Sequence, residues 1–197
     1  MSFYKFVMNA FRLISKVLYK YEVIGEENIP TEGNVIIAAN HKSNLDAIFI
    51  GGAVTTREMA PIGKKELFDI KPLGYILKKL NGIPINREKP DVSTIKSILR
   101  AIKDGYALAI FPEGTRVKEP GFGKAKAGLA LFAVKSKSLV VPVSIISNYK
   151  LFNRVTIYID KPISFEEYYK EKLTTEDYER LSQNVLEVIK ENYYINS

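Results

Sequence analysis

An α/β fold, with a largely parallel or mixed sheet flanked by helices, is what the patterning of this chain predicts, and three observations predict it. Short apolar runs that read as strands alternate with stretches of helical period, the mark of layered α/β architecture. No repeat, low-complexity segment or Pro/Gly/Ser-rich linker divides the chain. Its 197 residues suffice for one domain with a real core and are too few for two comfortable ones.

The elements follow in order. Residues 1–20 read as an N-terminal amphipathic helix. At about 100° per residue, Phe3, Val7, Phe11, Ile14 and Leu18 share one side, and Lys5, Asn9, Arg12, Lys16 and Lys20 share the other. Residues 34–39 form an apolar run after a Pro30/Gly33 turn and read as a buried strand. Ser43 and Asn44 offer an N-cap for a helix over 45–50. Residues 65–79 read as helical, with Pro72 as a kink or break. Residues 83–85 are a short strand. Asp91 opens a helix that carries Ile95, Ile98, Leu99 and Ile102 inward and stops at Gly105. Strands over 107–111, 139–146 and 155–159, a helix over 126–137 and an acidic terminal helix over 176–192 complete the chain.

Composition narrows the chemistry. The formal net charge of +7 suits an anionic partner: nucleic acid, a phospholipid surface or a small phosphorylated molecule. No compact basic run is interleaved with aromatic residues, so nucleic acid is not the expected partner. The chain has no cysteine, which excludes disulfides, cysteine zinc sites and an acyl-cysteine intermediate. Its one histidine, His41, excludes a multi-histidine metal cage, and no metal is expected. No run reaches the roughly 18 apolar residues that a transmembrane helix needs. The N-terminus is interrupted by Lys5, Arg12 and Lys16 and does not read as a signal peptide.

His41 lies in Asn40-His41-Lys42-Ser43-Asn44-Leu45-Asp46, where a strand ends and a helix begins. On one helix, His41 and Asp46 would point about 140° apart and could not meet. With His41 on the loop and Asp46 in the first helical turn, the two side chains can meet. The carboxylate would then fix the ring's tautomer and leave the other nitrogen free to take a proton from an alcohol. The same residues also suit a loop histidine beside an aspartate that merely favours the helix dipole. Ser43 reads as a capping residue rather than a nucleophile.

A second cluster, Phe111-Pro112-Glu113-Gly114-Thr115-Arg116, packs an acid, a glycine, a hydroxyl and an arginine into one strand exit. Glycine lets a backbone N–H approach an anion, and arginine grips phosphate through two hydrogen bonds. Arg87 follows the short strand in Gly82-Ile-Pro-Ile-Asn-Arg87, and Lys64 follows Ala60-Pro-Ile-Gly63. Each cation alone suits a solvated surface. Three at successive strand exits beside the sole histidine point to an anion site.

With these blocks in view, the chain resembles the 1-acylglycerol-3-phosphate acyltransferase family, within the wider glycerolipid acyltransferases. Asn40 to Asp46 fits the family's N-H-x-S-x-x-D block. Gly82 to Arg87 fits a glycine followed by arginine, Phe111 to Arg116 is an unbroken F-P-E-G-T-R, and Val141-Pro142-Val143 fits the apolar fourth block. Lys64-Lys65-Glu66-Leu67 supplies the lysine before an E-L pair. The likeness covers roughly residues 20–160. Pro84 stands where many members carry an aromatic or aliphatic residue, and many relatives have a longer hydrophobic N-terminus.

The resemblance implies an acyltransferase domain over 21–197 and a membrane-association helix over 1–20. It implies transfer of an acyl group from acyl-CoA or acyl carrier protein to the free hydroxyl of 1-acylglycerol 3-phosphate, giving phosphatidic acid without a cofactor. His41 and Asp46 would be catalytic; Lys64, Arg87, Glu113, Gly114, Thr115 and Arg116 would bind substrate. The partners implied are membrane phospholipids and lysophosphatidic acid, with the protein held peripherally at a membrane's cytoplasmic face. Other acceptors remain open at this level: glycerol 3-phosphate, a lysophospholipid or a lyso-ornithine lipid. So does a non-catalytic basic lipid-binding protein.

Overall fold

The computed structural model describes residues 2–86, 91–117 and 121–197. Arg87 therefore lies outside the described residues. The chain runs α1 (Phe3–Leu18), β1 (Lys20–Ile24), β2 (Val35–Ala39), α2 (Asp46–Ala53), β3 (Met59–Lys64), α3 (Lys65–Asp69), α4 (Leu73–Lys79) and β4 (Ile83–Ile85). It continues through α5 (Val92–Lys103), β5 (Ala107–Ile110), α6 (Gly128–Ser136), β6 (Leu139–Ser147), β7 (Arg154–Ile159) and α7 (Thr175–Ile195). The seven strands form one sheet in the order β1-β7-β6-β2-β5-β3-β4. Every neighbouring pair is parallel except β6 with β7.

Side chains alternate across a strand, and the sheet uses this to build two cores. Val35, Ile37 and Ala39 of β2 face a core made with α1 and α2 through Tyr4, Met8, Phe49 and Ile50. Ile36 and Ala38 face the opposite core, made with Ile98 and Ile102 of α5, Leu129 and Phe132 of α6, and Leu181 and Val185 of α7. Strands buried on both faces read as continuous apolar runs, which is why residues 34–39 stood out in the sequence.

The helical stretch 65–79 breaks at Pro72, as expected, into α3 and α4. Other expectations are corrected. The helix after His41 begins at Asp46, later than expected, and no side chain caps it. The Ser43 hydroxyl instead accepts from the Leu45 backbone N–H at 3.2 Å, a local turn bond that competes with capping. Strand β1 was not foreseen. Its five residues are mostly exposed, with only Tyr21 buried.

The amphipathic helix forms, but its faces differ from the expected division. Tyr4, Met8 and Ser15 are the buried residues of α1, with Val7 and Phe11 packed partly against the core. Phe3, Phe6, Leu13, Ile14, Val17 and Leu18 are exposed. The apolar arc is thus wider than the core requires. The seat of α1 is set by Gly51 and Gly52 of α2: a methyl at Gly51 would collide with the Met8 sulfur, and one at Gly52 would lie 3.2 Å from the Phe11 ring. Arg12, expected on a free basic stripe, makes a bidentate pair with Glu26 at 2.8 and 3.1 Å. Among the described residues no helix is long and apolar enough to cross a membrane.

Candidate active site

Strands β2, β5, β3 and β4 are adjacent and parallel, so their carboxyl ends open on the same side of the sheet. His41 follows β2, Phe111 to Arg116 follow β5, and Lys64 ends β3. Open α/β sheets place their ligand crevices at this end.

Asn40 fixes the exit of β2. Its buried side-chain amide donates to the Ile145 carbonyl at 3.0 Å and accepts from the Ile145 N–H at 2.7 Å. It imitates one more ladder residue and ties the loop to β6. The next residue, His41, stacks on Phe111 with ring centroids 3.9 Å apart and planes 9° apart. Its backbone is gripped from both sides: its N–H donates to Glu113 Oε2 at 3.0 Å, and its carbonyl accepts from the Val117 N–H at 2.9 Å.

The chain then bends as the loop reading requires. His41 Nδ1 lies 2.9 Å from Asp46 Oδ2, which also accepts the Lys42 and Ser43 backbone N–H groups, each at 2.7 Å. An oxygen that already accepts two backbone donors is an acceptor for the ring as well. Nδ1 therefore carries the proton and Nε2 presents its lone pair. The His41 side chain is 11% exposed and that of Asp46 wholly buried, so the pair works largely out of water.

The remaining expected residues divide. Glu113 is buried, and its carboxylate bridges the His41 N–H and, through Oε1 at 2.7 Å, the Gly123 N–H. It braces the histidine loop. Gly114 takes φ of 71°, a conformation that favours glycine, and closes a turn onto the Phe111 carbonyl at 2.9 Å. Thr115 and Arg116 are exposed at the same end of the sheet. Lys64 is 56% exposed and 3.4 Å from Glu66.

Four features escaped the sequence reading. Lys42 donates to the Gly121 carbonyl at 2.9 Å and lies over the rings of Phe122 and Tyr193, at 5.0 and 5.1 Å, joining the histidine loop to the end of α7. The Tyr149 hydroxyl donates to Asp46 Oδ1 at 2.6 Å from 103 residues away. The stacking of Phe111 was hidden inside a block whose polar residues drew attention. Finally, a cleft of about 630 Å³ is lined by Phe111, Pro112 and Gly114 of the F-P-E-G-T-R turn, by Ile62, Ile85, Ile110, Leu129 and Phe132, and by the polar Lys126, Thr175 and Glu179.

Comparison with known proteins points to one family. The Acyltransferase family model matches residues 20–146. The 1-acyl-sn-glycerol-3-phosphate acyltransferase of Bacillus subtilis (strain 168) is 34% identical over 72% of this chain and 70% of its own length. A probable enzyme of the same name from Mycoplasma pneumoniae is 33% identical over 70% of this chain and 55% of its own length. The crystal structure of the 1-acyl-sn-glycerophosphate (LPA) acyltransferase PlsC from Thermotoga maritima superposes with a TM-score of 0.75 and 29% identity, covering 97% of this chain and 80% of that one. Shared sequence, shared fold and a matching family model agree, and the chain belongs to the 1-acylglycerol-3-phosphate acyltransferase family.

Proposed function

We infer that this protein acylates the free hydroxyl of 1-acylglycerol 3-phosphate to give phosphatidic acid. The observation that carries the mechanism is the buried His41–Asp46 contact of 2.9 Å at the carboxyl end of β2. His41 Nε2 takes the proton of the glycerol hydroxyl as its oxygen attacks the carbonyl of a thioester donor, acyl-CoA or acyl carrier protein. The tetrahedral intermediate collapses, the C–S bond breaks, and the imidazolium returns the proton to the departing thiolate. The chain holds no cysteine, and direct transfer between the two substrates is the simplest route. Positioning of two bound substrates can supply roughly 7–11 kcal/mol of the barrier reduction.

Lys64, Arg87 and Arg116 are the candidates for holding the acceptor phosphate, with Gly114 opening backbone access and Thr115 adding a hydroxyl. The largely apolar cleft beside Phe111 and Pro112 suits an acyl chain.

Membrane attachment is peripheral in this reading, at the cytoplasmic face that a thioester donor reaches. The exposed face of α1 supports it: Phe6, Leu13 and Val17 point away from the core, next to Lys5, Asn9 and Lys16. Full burial of each such side chain in lipid is worth about 1.5–3 kcal/mol. Replacing Phe6, Leu13 and Val17 together with serine should abolish co-sedimentation with anionic vesicles while leaving the melting temperature near wild type. Unchanged co-sedimentation would remove the anchor.

The activity itself is tested by thiol release from palmitoyl-CoA. Release should require lysophosphatidic acid. Release without acceptor would indicate a thioesterase. Release that follows glycerol 3-phosphate, a lysophospholipid or a lyso-ornithine lipid instead would change the acceptor.

A further inference from the structure

The Asp46 carboxylate is held by four donors, and three of them, His41 Nδ1 and the Lys42 and Ser43 N–H groups, come from its own loop and share Oδ2. These three engage only one of its two oxygens. The donor to Oδ1, the Tyr149 hydroxyl at 2.6 Å, engages the other and so helps set the direction in which Asp46 presents itself to the histidine.

Tyr149 sits in the connection between β6 and β7, residues 148–153. This segment is tightly turned. Tyr149 and Phe152 take φ of 58° and 64°, left-handed values that large side chains seldom adopt, and the Asn153 N–H closes onto the Lys150 carbonyl at 3.1 Å. It is also stitched to the end of α1: the Phe152 N–H donates to the Leu18 carbonyl at 2.7 Å, and the Lys20 N–H to the Asn153 carbonyl at 3.0 Å. On the core side, Phe49 of α2 meets Tyr149, Tyr19 and Phe11 with centroids 6.5, 5.4 and 5.3 Å away.

On the solvent side, Leu151 and Phe152 are 56% and 66% exposed. The bond from Phe152 to Leu18 makes them continuous with the exposed apolar face of α1. Around them stand exposed Lys20, Lys150 and Arg154, and residues 148–154 contain no acid. An apolar tip ringed by cations fits an anionic lipid surface.

We propose that residues 148–153 form a lipid-responsive strap, in which bilayer contact by Leu151 and Phe152 sets the Asp46 carboxylate through Tyr149. This rests on the reading of α1 as a bilayer-contacting helix. Tyr149 is a positioning residue: it acts on His41 through Asp46. A seated strap holds the hydroxyl on Oδ1; a strap in water lets the carboxylate turn and the imidazole with it.

The test uses the full chain with a short-chain acyl-CoA and a short-chain, monomeric lysophosphatidic acid, with and without mixed phosphatidylcholine–phosphatidylglycerol vesicles. Vesicles should raise wild-type kcat on this soluble acceptor. Tyr149→Phe should lower kcat roughly tenfold or more with acceptor KM nearly unchanged, since it removes a hydrogen bond to a charged group, and should abolish the stimulation. Leu151→Ser/Phe152→Ser should lose most of the stimulation while still co-sedimenting through α1. Wild-type binding to vesicles without stimulation, or a Tyr149→Phe enzyme with normal kcat, would overturn the inference alone. Failure of wild type to bind vesicles would overturn the membrane reading beneath it and the lipid response together. Stimulation by a soluble acidic protein in place of vesicles would assign the strap to a protein partner and also overturn it.

Discussion

Around the exit of β2, Asp46 takes four hydrogen bonds, Glu113 reaches across from the exit of β5 to bridge two backbone N–H groups, and His41 is stacked, buried and gripped at both backbone atoms. Further out at the exits of β5 and β3, Thr115 and Arg116 stand exposed and Lys64 is 56% exposed, 3.4 Å from Glu66. The two regions share one end of one sheet and are built oppositely. A group that must meet a proton at a fixed distance is held by the protein before substrate arrives. The cations proposed to take the phosphate are left solvated, as suits groups whose partner would be the phosphate itself.

The sharpest way to break this comparison is to remove the ring. His41→Ala should lower kcat by roughly 10²–10⁴, the usual contribution of a general base, and Asp46→Ala somewhat less. Both are measured on protein whose circular dichroism matches wild type. Near-normal turnover without His41 would dissolve the distinction between the two regions.

The cationic region should respond in binding. Arg116→Ala and Lys64→Ala should each raise acceptor KM about tenfold, the effect of losing a charge-assisted bond of about 1.5 kcal/mol. Donor KM and melting temperature should stay near wild type, because neither side chain is packed. If neither variant changes acceptor KM or kcat/KM, the phosphate assignment fails.

The smallest effect concerns the seat of α1. Burial raises the Glu26 carboxyl, but hydrogen bonds from Arg12 and Thr55 and the Arg12 charge outweigh it, so its pKa lies below the ordinary value. A depressed carboxyl stabilises the fold above its unfolded pKa, and that contribution disappears as pH falls through the folded one. The pair is only partly buried, so Arg12→Met should cost about 0.5–1 kcal/mol near neutral pH. The urea midpoints of wild type and Arg12→Met should converge in acid. A gap that persists at low pH would mean that packing of the Arg12 stem, rather than its charge, holds the helix.

What could be read from the sequence follows the same division. Asn40 to Asp46 and Phe111 to Arg116 are local clusters at strand exits, and chain geometry within a few residues brings His41 to Asp46. The doubly buried strands were visible as apolar runs. Tyr149 was not legible, because its place depends on a tertiary loop with left-handed residues, 103 positions from its partner. Which part of the apolar side of α1 enters the core was not legible for a related reason. Helical period marks an apolar arc, but Gly51 and Gly52 on another helix decide which part of that arc is buried. Strand β1 was missed although Tyr21, Val23 and Ile24 favour a strand, because it is short, follows the helical period of α1 directly and lies at the sheet edge beside β7.

The antiparallel join of β6 to β7 has a kinetic meaning. It places the start of β1, and with it the end of α1, on the same side of the sheet as His41. With α1 and residues 148–153 on lipid as proposed, this end of the sheet would lie nearest the lipid surface, and the acceptor could enter sideways without passing through water. Such an enzyme samples its acceptor in two dimensions. Diluting lysophosphatidic acid into inert lipid at constant bulk concentration should then slow it, and its saturation constant is properly a surface mole fraction rather than a molarity.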